Sequence, residues 1–473
     1  MAKYIELNEL FNKLDLVKGI CFDSREVAEG FLFVAQTGTL VDGHKFIPMA
    51  IEQGAKFIVC ENIPQEDYDV TFIKVEDSSK ALGIIASKYY DNPSSKLKII
   101  GITGTNGKTT TVTLLHRLFM NLGFKTGLVS TIVNKINNLE VKATHTTPDA
   151  ISLNKLFLEM VEAGCEFVFM EVSSHSIVQH RIEGVEFYGG IFSNITHDHL
   201  DFHKTFSEYI KAKKQFFDFL PKTSFALTNI DDKNGDIMLQ NTKAKKYSYS
   251  LQTLADFHAI ILENSFEGIL LNIDGIELWT RLVGKFNAYN ILAIYSTAIL
   301  CGIKKEEALR GISELESAEG RFDCVTISSG AKAIIDYAHT PDALLNVINT
   351  INTIREGLGK LITVVGCGGD RDRTKRPIMA KIAAENSDNV ILTSDNPRTE
   401  DPEEIIRQMQ EGLDIITQKK TFTITNRHDA IKLACQIAQK EDIILVAGKG
   451  HEKYQEINGV RHHFDDKEET LKY

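Results

Sequence analysis

The feature that most constrains the fold is a glycine-containing loop that joins an apolar run to an amphipathic run. Residues 98–103 have the sequence KIIGIT, and Gly104-Thr105-Asn106-Gly107-Lys108-Thr109-Thr110 follows directly. Beyond it, apolar residues recur at every third or fourth position, which predicts a helix over residues 109–122. A strand that turns through glycines into a helix is typical of a phosphate-binding loop in a parallel α/β sheet.

The residue types in this segment, the phosphate loop (residues 104–110), suit the phosphates of ATP. Its glycines let backbone N–H groups point at phosphate oxygens, Lys108 supplies a mobile positive charge, and Thr109 can offer a hydroxyl to Mg²⁺. The spacing differs from the strict GxxxxGKT pattern because Ile102 stands where the first glycine belongs. An ordinary loop is the alternative, but the strand, the lysine and the helix together favour a P-loop that binds ATP and magnesium.

Apolar runs alternate with polar or glycine-rich loops along the chain, which predicts an α/β fold. The 473 residues exceed the length at which a single hydrophobic core stops growing, about 250 to 300 residues. We therefore expect three domains, at residues 1–96, 97–318 and 319–473. The second should contain a P-loop ATPase-like parallel sheet and the third a Rossmann-like doubly wound sheet, with the chemistry in loops at the carboxyl ends of strands.

The composition argues against several classes of protein. A net charge of −11 disfavours nucleic-acid binding, which uses a basic face. The sequence has no run of about 20 apolar residues and no signal-peptide pattern, so we expect a cytoplasmic protein with no membrane partner. We also expect a monomer. Its seven cysteines lack metal-site spacing, which predicts reduced thiols. Cys367 lies among glycines, where a neutral filler is favoured over a nucleophile.

A carboxylate follows the apolar run at residues 166–170. Glu171 comes at the end of this predicted strand and precedes Val172-Ser173-Ser174-His175. A carboxylate at a strand end beside a phosphate loop can hold magnesium or orient a water molecule. A solvated surface charge is the alternative, but the preceding apolar run favours the functional interpretation.

Further motifs extend this pattern over nearly the whole chain. They are Phe22-Asp23-Ser24-Arg25, Thr196-His197-Asp198-His199-Leu200-Asp201, Phe286-Asn287, Asp336-Tyr337-Ala338-His339-Thr340-Pro341-Asp342, Gly366-Cys367-Gly368-Gly369-Asp370-Arg371-Asp372, Asp395-Asn396-Pro397-Arg398 and Gly448-Lys449-Gly450-His451-Glu452. With these motifs the chain resembles the Mur ligases of bacterial cell-wall synthesis, and within them the MurE type. The resemblance implies an N-terminal domain for a UDP-linked substrate, a central ATPase domain and a C-terminal amino-acid-binding domain.

The reaction implied by the resemblance adds meso-2,6-diaminopimelate to UDP-N-acetylmuramoyl-L-alanyl-D-glutamate, in peptidoglycan precursor synthesis. Joining a carboxylate to an amine in water is uphill, so the carboxylate first becomes an acyl phosphate by attacking ATP. Magnesium and a lysine reduce the repulsion between these two anions.

The resemblance also implies roles for individual residues around ATP. The catalytic residues are Lys108, Glu171, His199 and Lys213, and the magnesium ligands are Thr109, Glu171, His199 and Lys213 as its carbamate. ATP is bound by the phosphate loop, by Asn287 and Asn290 on the adenine side, and by Arg321, Asp336 and His339 of the third domain. Structural alternatives remain: a solvated helix for Lys213, a polar turn for His199, and interdomain hydrogen bonding for the last three.

The same resemblance implies two groups of contacts to the UDP-linked substrate. The nucleotide side is Phe22, Ser24, Thr39, Leu40 and Val41, and the peptide side is His145, Thr146, Thr147, Ser173, Gln179 and Arg181. His145 stands where some members of the family have asparagine. Arg181 suits the glutamate carboxylate because a guanidinium can donate two parallel hydrogen bonds, although a structural salt bridge is the alternative.

The acceptor amino acid is predicted from the motif at residues 395–398. Diaminopimelate differs from L-lysine by one distal carboxylate, which needs a cation, and Arg398 and Arg371 come from two neighbouring strand-end loops. Glu452 suits the distal ammonium, and Asp395, Asn396, Pro397 and Gly448 complete the family pattern. We therefore expect diaminopimelate. The alternatives are L-lysine, and an Arg398 that merely pairs with Glu400 or Asp401.

Three other classes of protein fit the sequence less well. A P-loop switch would not need the arginine-bearing loops, and a nicotinamide oxidoreductase would need the GxGxxG spacing that GCGGDR lacks. Folylpolyglutamate synthase shares much of the central region but is disfavoured by the FDSR and DNPR segments.

Overall fold

A computed structural model of the chain describes residues 3–38, 41–66, 68–196, 200–355 and 359–473. Thr39, Leu40 and His199, for which the sequence predicts substrate or metal contacts, lie outside these ranges. The described residues form three large sheets and one two-stranded sheet. All are accompanied by helices, so the predicted α/β class is confirmed.

The first sheet has five parallel strands in the order β1-β5-β4-β3-β2. Its inner strands are short apolar runs buried on both faces, as parallel strands covered by helices usually are. The strands are β1 (Lys3–Ile5), β2 (Gly19–Cys21), β3 (Phe31–Val34), β4 (Phe57–Cys60) and β5 (Thr71–Lys74), and the helices are α1 (Leu7–Phe11), α2 (Ile47–Glu52) and α3 (Ser78–Tyr89).

The second sheet has eleven strands in the order β16-β15-β14-β13-β12-β11-β6-β10-β7-β8-β9. The strands are β6 (Lys98–Thr103), β7 (Thr126–Val129), β8 (Val133–Ile136), β9 (Leu139–Lys142), β10 (Phe167–Glu171), β11 (Gly189–Phe192), β12 (Phe225–Asn229), β13 (Lys245–Ser250), β14 (Phe257–Ser265), β15 (Gly268–Ile273) and β16 (Ile276–Thr280). The helices are α4 (Lys108–Asn121), α5 (Ala150–Glu162), α6 (Ser174–Val178), α7 (Leu200–His203), α8 (Phe206–Asp218), α9 (Gly235–Met238), α10 (Lys285–Leu300) and α11 (Lys305–Ser313).

The second sheet is parallel through its centre, as predicted, and antiparallel at its two edges. The strands from β14 to β7 are parallel, but β8, β9, β15 and β16 pair antiparallel. Short turns join the strands at each edge, and a turn of two or three residues can connect only antiparallel neighbours. The strand β6 has the predicted bounds, and α4 begins one residue before the predicted helix.

The third sheet has six strands in the order β17-β18-β22-β19-β20-β21, of which only β17 pairs antiparallel. Helices pack on both faces, with α12, α13 and α14 on one and α16 on the other, as a doubly wound sheet requires. The strands are β17 (Asp323–Thr326), β18 (Lys332–Asp336), β19 (Leu361–Val365), β20 (Asn389–Leu392), β21 (Thr421–Thr423) and β22 (Ile443–Ala447). The helices are α12 (Pro341–Arg355), α13 (Lys375–Asn386), α14 (Pro402–Gln410), α15 (Ile415–Gln418), α16 (Arg427–Ile437) and α17 (Asp466–Leu471).

A separate hairpin follows the third sheet and is formed by β23 (Tyr454–Ile457) and β24 (Val460–His463). No helix within the described ranges is long and apolar enough to cross a membrane. All seven cysteines are free thiols. Burial raises the pKa of Cys367 to about 12, so this thiol stays protonated, which agrees with its predicted filler role.

Candidate active site

One cavity of about 1310 Å³ lies where strand ends of the second and third sheets face each other. Loops that follow parallel strands meet at one edge of a sheet, which explains why distant motifs converge here. The predicted residues that line it are Thr105, Asn106, Gly107, Lys108, Thr109, Thr110, Thr146, Glu171, Ser173, Lys213, Asn290, Arg321, Asp336, His339, Arg371, Asp395, Asn396, Arg398, Gly448 and Glu452.

The phosphate loop has the backbone shape that its glycines allow. Gly104 and Gly107 have φ values of +154° and +86°, in the region that side chains with a Cβ rarely adopt. A Cβ on Gly107 would also lie 2.5 Å from Oδ1 of Asn290, which packs against the loop from α10. Lys108 curls over the loop, and its Nζ donates to the carbonyl oxygens of Gly104 and Thr105 at 3.0 and 2.8 Å.

Lys213 reaches the phosphate loop from α8. Its side chain is 1% exposed, and its Nζ donates to the Gly104 carbonyl at 2.8 Å and lies 4.6 Å from the centre of the Tyr209 ring. The neighbouring Lys211 is instead 67% exposed and lies 4.0 Å from the Glu208 carboxylate. The two lysines therefore have opposite environments, which separates Lys213 from an ordinary solvated helix face.

Glu171 is buried at the carboxyl end of β10, next to β6, which leads into the phosphate loop. Its carboxylate accepts hydrogen bonds from the backbone N–H and the hydroxyl of Thr131, at 2.8 and 3.2 Å. Within the described ranges, no lysine, arginine or histidine lies at ion-pair distance from this carboxylate. Among the described residues, the side-chain oxygens of Glu171 therefore accept hydrogen bonds only from the neutral groups of Thr131.

Two residues link the phosphate loop to the third sheet. Arg321 donates to the Thr109 hydroxyl at 3.3 Å, and its guanidinium lies 4.6 Å from the centre of the Tyr337 ring. Asp342, in the first turn of α12, accepts from the Asn106 amide at 3.1 Å and from the Thr196 hydroxyl at 2.8 Å. Residues more than 200 positions apart are thereby joined directly beside the phosphate site.

Asp336 fixes the turn that follows β18. Its carboxylate accepts from the backbone N–H groups of Phe322 and Ala338 at 2.7 and 2.8 Å. Burial, the largest effect, raises the pKa of Asp336, although the nearby Arg321 opposes the shift. Part of its role is therefore to shape the cavity wall on which His339 lies.

The loop at residues 395–398, the acceptor loop, lines the same cavity as the phosphate loop. The Asn396 amide donates to Glu452 at 2.8 Å, and the buried Lys449 Nζ donates to the amide oxygen of Asn396 at 3.2 Å. Burial and the neighbouring Asp395 raise the pKa of Glu452. Gly448 has a φ of +120°, and a Cβ there would lie 2.5 Å from an Asp395 carboxylate oxygen. Close packing therefore requires glycine at this position.

The guanidinium of Arg398 is not paired with an acidic neighbour in sequence. Its Nη1 donates to the Gly369 carbonyl at 2.7 Å. Glu400 is engaged by Arg376 and Arg373, at 2.8 and 3.1 Å, and Asp401 caps α14. The alternative in which Arg398 merely neutralises Glu400 or Asp401 is therefore wrong, because a tertiary contact with Arg376 occupies Glu400.

Other predicted residues do not line the cavity. Asn287 is buried and donates to the Val283 carbonyl at 2.8 Å, while Asn290 donates to Asn287. Arg181 donates to the Thr147 carbonyl at 2.9 Å, and the Thr147 hydroxyl donates to the Glu171 carbonyl, so these two lie next to Glu171. In the region of the first sheet, Phe22 and Val41 are exposed and Ser24 is buried. His145 is exposed, and Gln179 is the residue that follows the last turn of α6. Gly104 and Pro397 belong to the phosphate loop and the acceptor loop but do not border the cavity.

The structure adds residues that the sequence did not single out as parts of the site. They are Thr131, Asp342, Lys449 and the hairpin residues Tyr454, Glu456 and Arg461. Asp342 and Lys449 lie inside the motifs at residues 336–342 and 448–452, so the sequence could have indicated that they belong to the site. The hairpin carries no local pattern that predicts a site, because its position depends on the fold of the third sheet.

Three family models match consecutive parts of the chain. They are described as the Mur ligase family catalytic domain, which matches residues 16–90, the Mur ligase middle domain, which matches residues 102–298, and the Mur ligase glutamate ligase domain, which matches residues 320–450. The matched segments follow the order of the three large sheets and include the phosphate loop and the acceptor loop.

Individual relatives agree with these models. A UDP-N-acetylmuramoyl-L-alanyl-D-glutamate--2,6-diaminopimelate ligase of Cytophaga hutchinsonii is 58% identical over 453 residues, covering 95% of this chain and 93% of the relative. The protein of the same name from Bacteroides fragilis is 56% identical and covers 96% and 93%. A solved structure of such a ligase matches with a TM-score of 0.70 at 33% identity, covering 96% of this chain and 94% of that one. This chain therefore belongs to the Mur ligase family of ATP-dependent, ADP-forming ligases.

Proposed function

We propose that this chain adds meso-2,6-diaminopimelate to UDP-N-acetylmuramoyl-L-alanyl-D-glutamate, with ATP as the energy source, in the cytoplasm and as a monomer. The observation that carries the proposal is that the phosphate loop and the arginine-bearing acceptor loop line one and the same cavity. A ligase must bring ATP, a carboxylate and an amine within bonding distance, and this arrangement supplies a site for each. The names of the relatives support the two substrates.

The first half-reaction activates the glutamate carboxylate. Its oxygen attacks the γ-phosphorus of ATP, the bond to the β-phosphate oxygen breaks, and ADP leaves, so the carboxylate becomes an acyl phosphate. When ATP binds, Lys108 and the backbone N–H groups of the phosphate loop would face the phosphates and stabilise the charge on the transferring group. Arg321, held beside Thr109, adds a second cation on the side of the third sheet.

The second half-reaction forms the amide bond. The neutral amine of the acceptor attacks the acyl carbon and forms a tetrahedral intermediate. Its collapse breaks the bond between the acyl carbon and the phosphate oxygen and releases phosphate, while the nitrogen loses one proton to solvent. The acceptor loop holds the other end of the amino acid, with Arg398 and Arg371 for the distal carboxylate and Glu452 for the distal ammonium. Lysine lacks that carboxylate and would leave an arginine without its partner, which typically costs about 1 to 3 kcal/mol.

The residues around Glu171 fit magnesium. Mg²⁺ prefers oxygen ligands, and the Thr109 hydroxyl and the Glu171 carboxylate both border the cavity. We infer that these two hold magnesium together with His199 and the carbamate of Lys213. Bound there, magnesium would reduce the repulsion between ATP and the attacking carboxylate.

We also propose three domains at residues 1–96, 97–318 and 319–473. The boundaries are supported by the sheets, since each large sheet falls within one of these ranges. The first domain would hold the UDP group through Phe22, Ser24 and the segment at residues 39–41. The peptide would extend toward Glu171 past His145, Thr146, Thr147, Ser173, Gln179 and Arg181.

The proposal can be tested with purified protein, ATP, magnesium and the UDP-linked muramoyl dipeptide. Phosphate release and product mass are measured with diaminopimelate, L-lysine and a panel of other amino acids. We expect release that needs both the dipeptide and diaminopimelate, with a product heavier by one diaminopimelate residue. Equal use of L-lysine would refute the acceptor assignment alone. Release that needs no acceptor would indicate a switch-like ATPase.

A further inference from the structure

The first strand and the turn of the hairpin formed by β23 and β24 are hydrogen bonded to the acceptor loop. The Gln455 amide donates to the Asp395 carbonyl at 2.7 Å, and the Glu456 backbone N–H donates to the Asn396 amide oxygen at 2.9 Å. The Arg398 N–H donates to the Glu456 carbonyl at 3.0 Å, and the Asn458 N–H donates to the Arg398 carbonyl at 2.7 Å. The hairpin thus engages both backbone polar groups of Arg398.

These contacts matter because Arg398 has an unfavourable backbone conformation. Its φ is +51°, in the left-handed region, which costs a residue with a Cβ about 1 kcal/mol or more. Such a conformation persists only where surrounding contacts fix it. The direction of the Cα–Cβ bond follows from φ and ψ, so the conformation decides where the guanidinium points.

The hairpin also has its own reason to be rigid. Asn458 and Gly459 form its turn with φ values of +49° and +77°, the pair that two-residue hairpin turns favour. The turn sets the register in which Gln455 faces His462 and Glu456 faces Arg461. The side chains of Tyr454, Glu456 and Arg461 border the cavity. The hairpin is therefore rigid by itself, and its strand β23 can hold the acceptor loop in place.

We infer that this hairpin sets the acceptor specificity by holding Arg398 in its left-handed conformation, with Gln455 and Asn458 as positioning residues. The inference rests on the proposed function, since it concerns how the distal carboxylate of the acceptor is recognised. Neither residue needs to touch the substrate. Loss of either contact would let the acceptor loop relax, and the guanidinium would leave the position that a carboxylate requires.

Two substitutions test the inference in the full-length protein. Proline in Asn458→Pro has no N–H to donate to Arg398 and cannot adopt a positive φ. Glycine in Asn458→Gly keeps the N–H and adopts a positive φ readily. Gln455→Met removes the amide donor at similar side-chain size. His462→Ala is the matched control, because His462 is exposed on the opposite strand of the same hairpin.

The measurements are kcat and KM for each of the three substrates, and the ratio of kcat/KM for diaminopimelate to that for L-lysine. We expect Asn458→Pro and Gln455→Met to raise the KM for diaminopimelate about tenfold or more and to shrink the ratio similarly, as loss of one or two hydrogen bonds would. The KM for ATP should stay within about twofold. Asn458→Gly should retain most of the preference, and His462→Ala all of it.

Three outcomes would count against these ideas in different ways. Variants that leave the KM for diaminopimelate unchanged overturn the role of the hairpin. Variants that raise the KM values of all three substrates together show a general folding role instead and overturn it as well. A wild-type protein that does not prefer diaminopimelate overturns the proposed acceptor, and that result is read before any variant is made.

Discussion

The Nζ of Lys213 lies 2.8 Å from the carbonyl oxygen of Gly104, so α8 is tied to the first residue of the phosphate loop. This contact places a buried lysine beside the phosphate loop, although a solvated helix face was the simpler interpretation of its sequence. A carbamate on that nitrogen would keep one N–H, so the bond to Gly104 is compatible with carbamylation. The carbamate oxygens would then be available to magnesium.

We predict that Lys213→Ala is nearly inactive and that a small added carboxylic acid partly restores its activity. The added acid would supply the oxygen ligand that the carbamate provides. Lys211→Ala is the matched control, because Lys211 is 67% exposed on the same helix, and it should have a mild effect. The measurement is phosphate release with all substrates present. Equal loss of activity in both variants would argue against the carbamate.

We predict that Lys108→Ala abolishes phosphoryl transfer. In the structure Lys108 is bonded to carbonyls of its own loop, and its charge would face the β and γ phosphates when ATP binds. Such contacts are worth about 3 kcal/mol or more in the transition state, which corresponds to a rate loss of at least about a hundredfold. Phosphate release is the measurement, and Lys222→Ala, an exposed lysine, is the control. Activity within a few fold of wild type would refute the phosphate-loop assignment.

We predict that Arg398→Ala steeply raises the KM for diaminopimelate and reduces its preference over L-lysine. Glu400 is already paired with Arg376, so the loss should concern the substrate rather than an internal ion pair. Arg398→Lys should restore little, because an ammonium cannot bind a carboxylate through two parallel N–H groups. Arg407→Ala, an exposed arginine on α14, serves as the control. An unchanged preference would place the distal carboxylate elsewhere.

A fourth prediction concerns acid stability. Burial, together with the charge of Arg321, lowers the pKa of His451 to about 3, and its Nδ1 has no hydrogen-bond partner among the described residues. In the unfolded chain His451 has its ordinary pKa of about 6.5 and is protonated below that pH. In the folded protein it is protonated only near pH 3. The folded protein therefore loses stability as the pH falls through this interval. Between pH 7 and pH 5 this loss amounts to about 2 kcal/mol.

The His451→Gln variant should therefore lose less unfolding free energy than wild type between pH 7 and pH 5. Urea denaturation at the two pH values, followed by circular dichroism, gives the comparison. His116 is also buried, and its pKa is lowered to about 4, but its contribution is common to both proteins and cancels in the difference. Identical pH dependence of the two proteins would show that His451 titrates normally.

The sequence alone determined the features that depend on neighbouring residues. The strand β6, the start of α4 and the phosphate loop between them follow from apolar periodicity and from glycines that allow positive φ values. The position of Glu171 at the end of a buried strand was equally local. These elements depend on local backbone preferences and on the periodicity of apolar side chains, and both can be read from a short stretch of sequence.

Only the tertiary structure decided which distant groups meet. Asn106 and Asp342 are 236 positions apart and share a hydrogen bond, while Arg376, not Arg398, takes up Glu400. The antiparallel edges of the second sheet and the contact between the hairpin and Arg398 were likewise decided by the tertiary structure. Such contacts depend on how whole sheets and helices pack, and the energy of that packing is spread over the buried core rather than over any local motif.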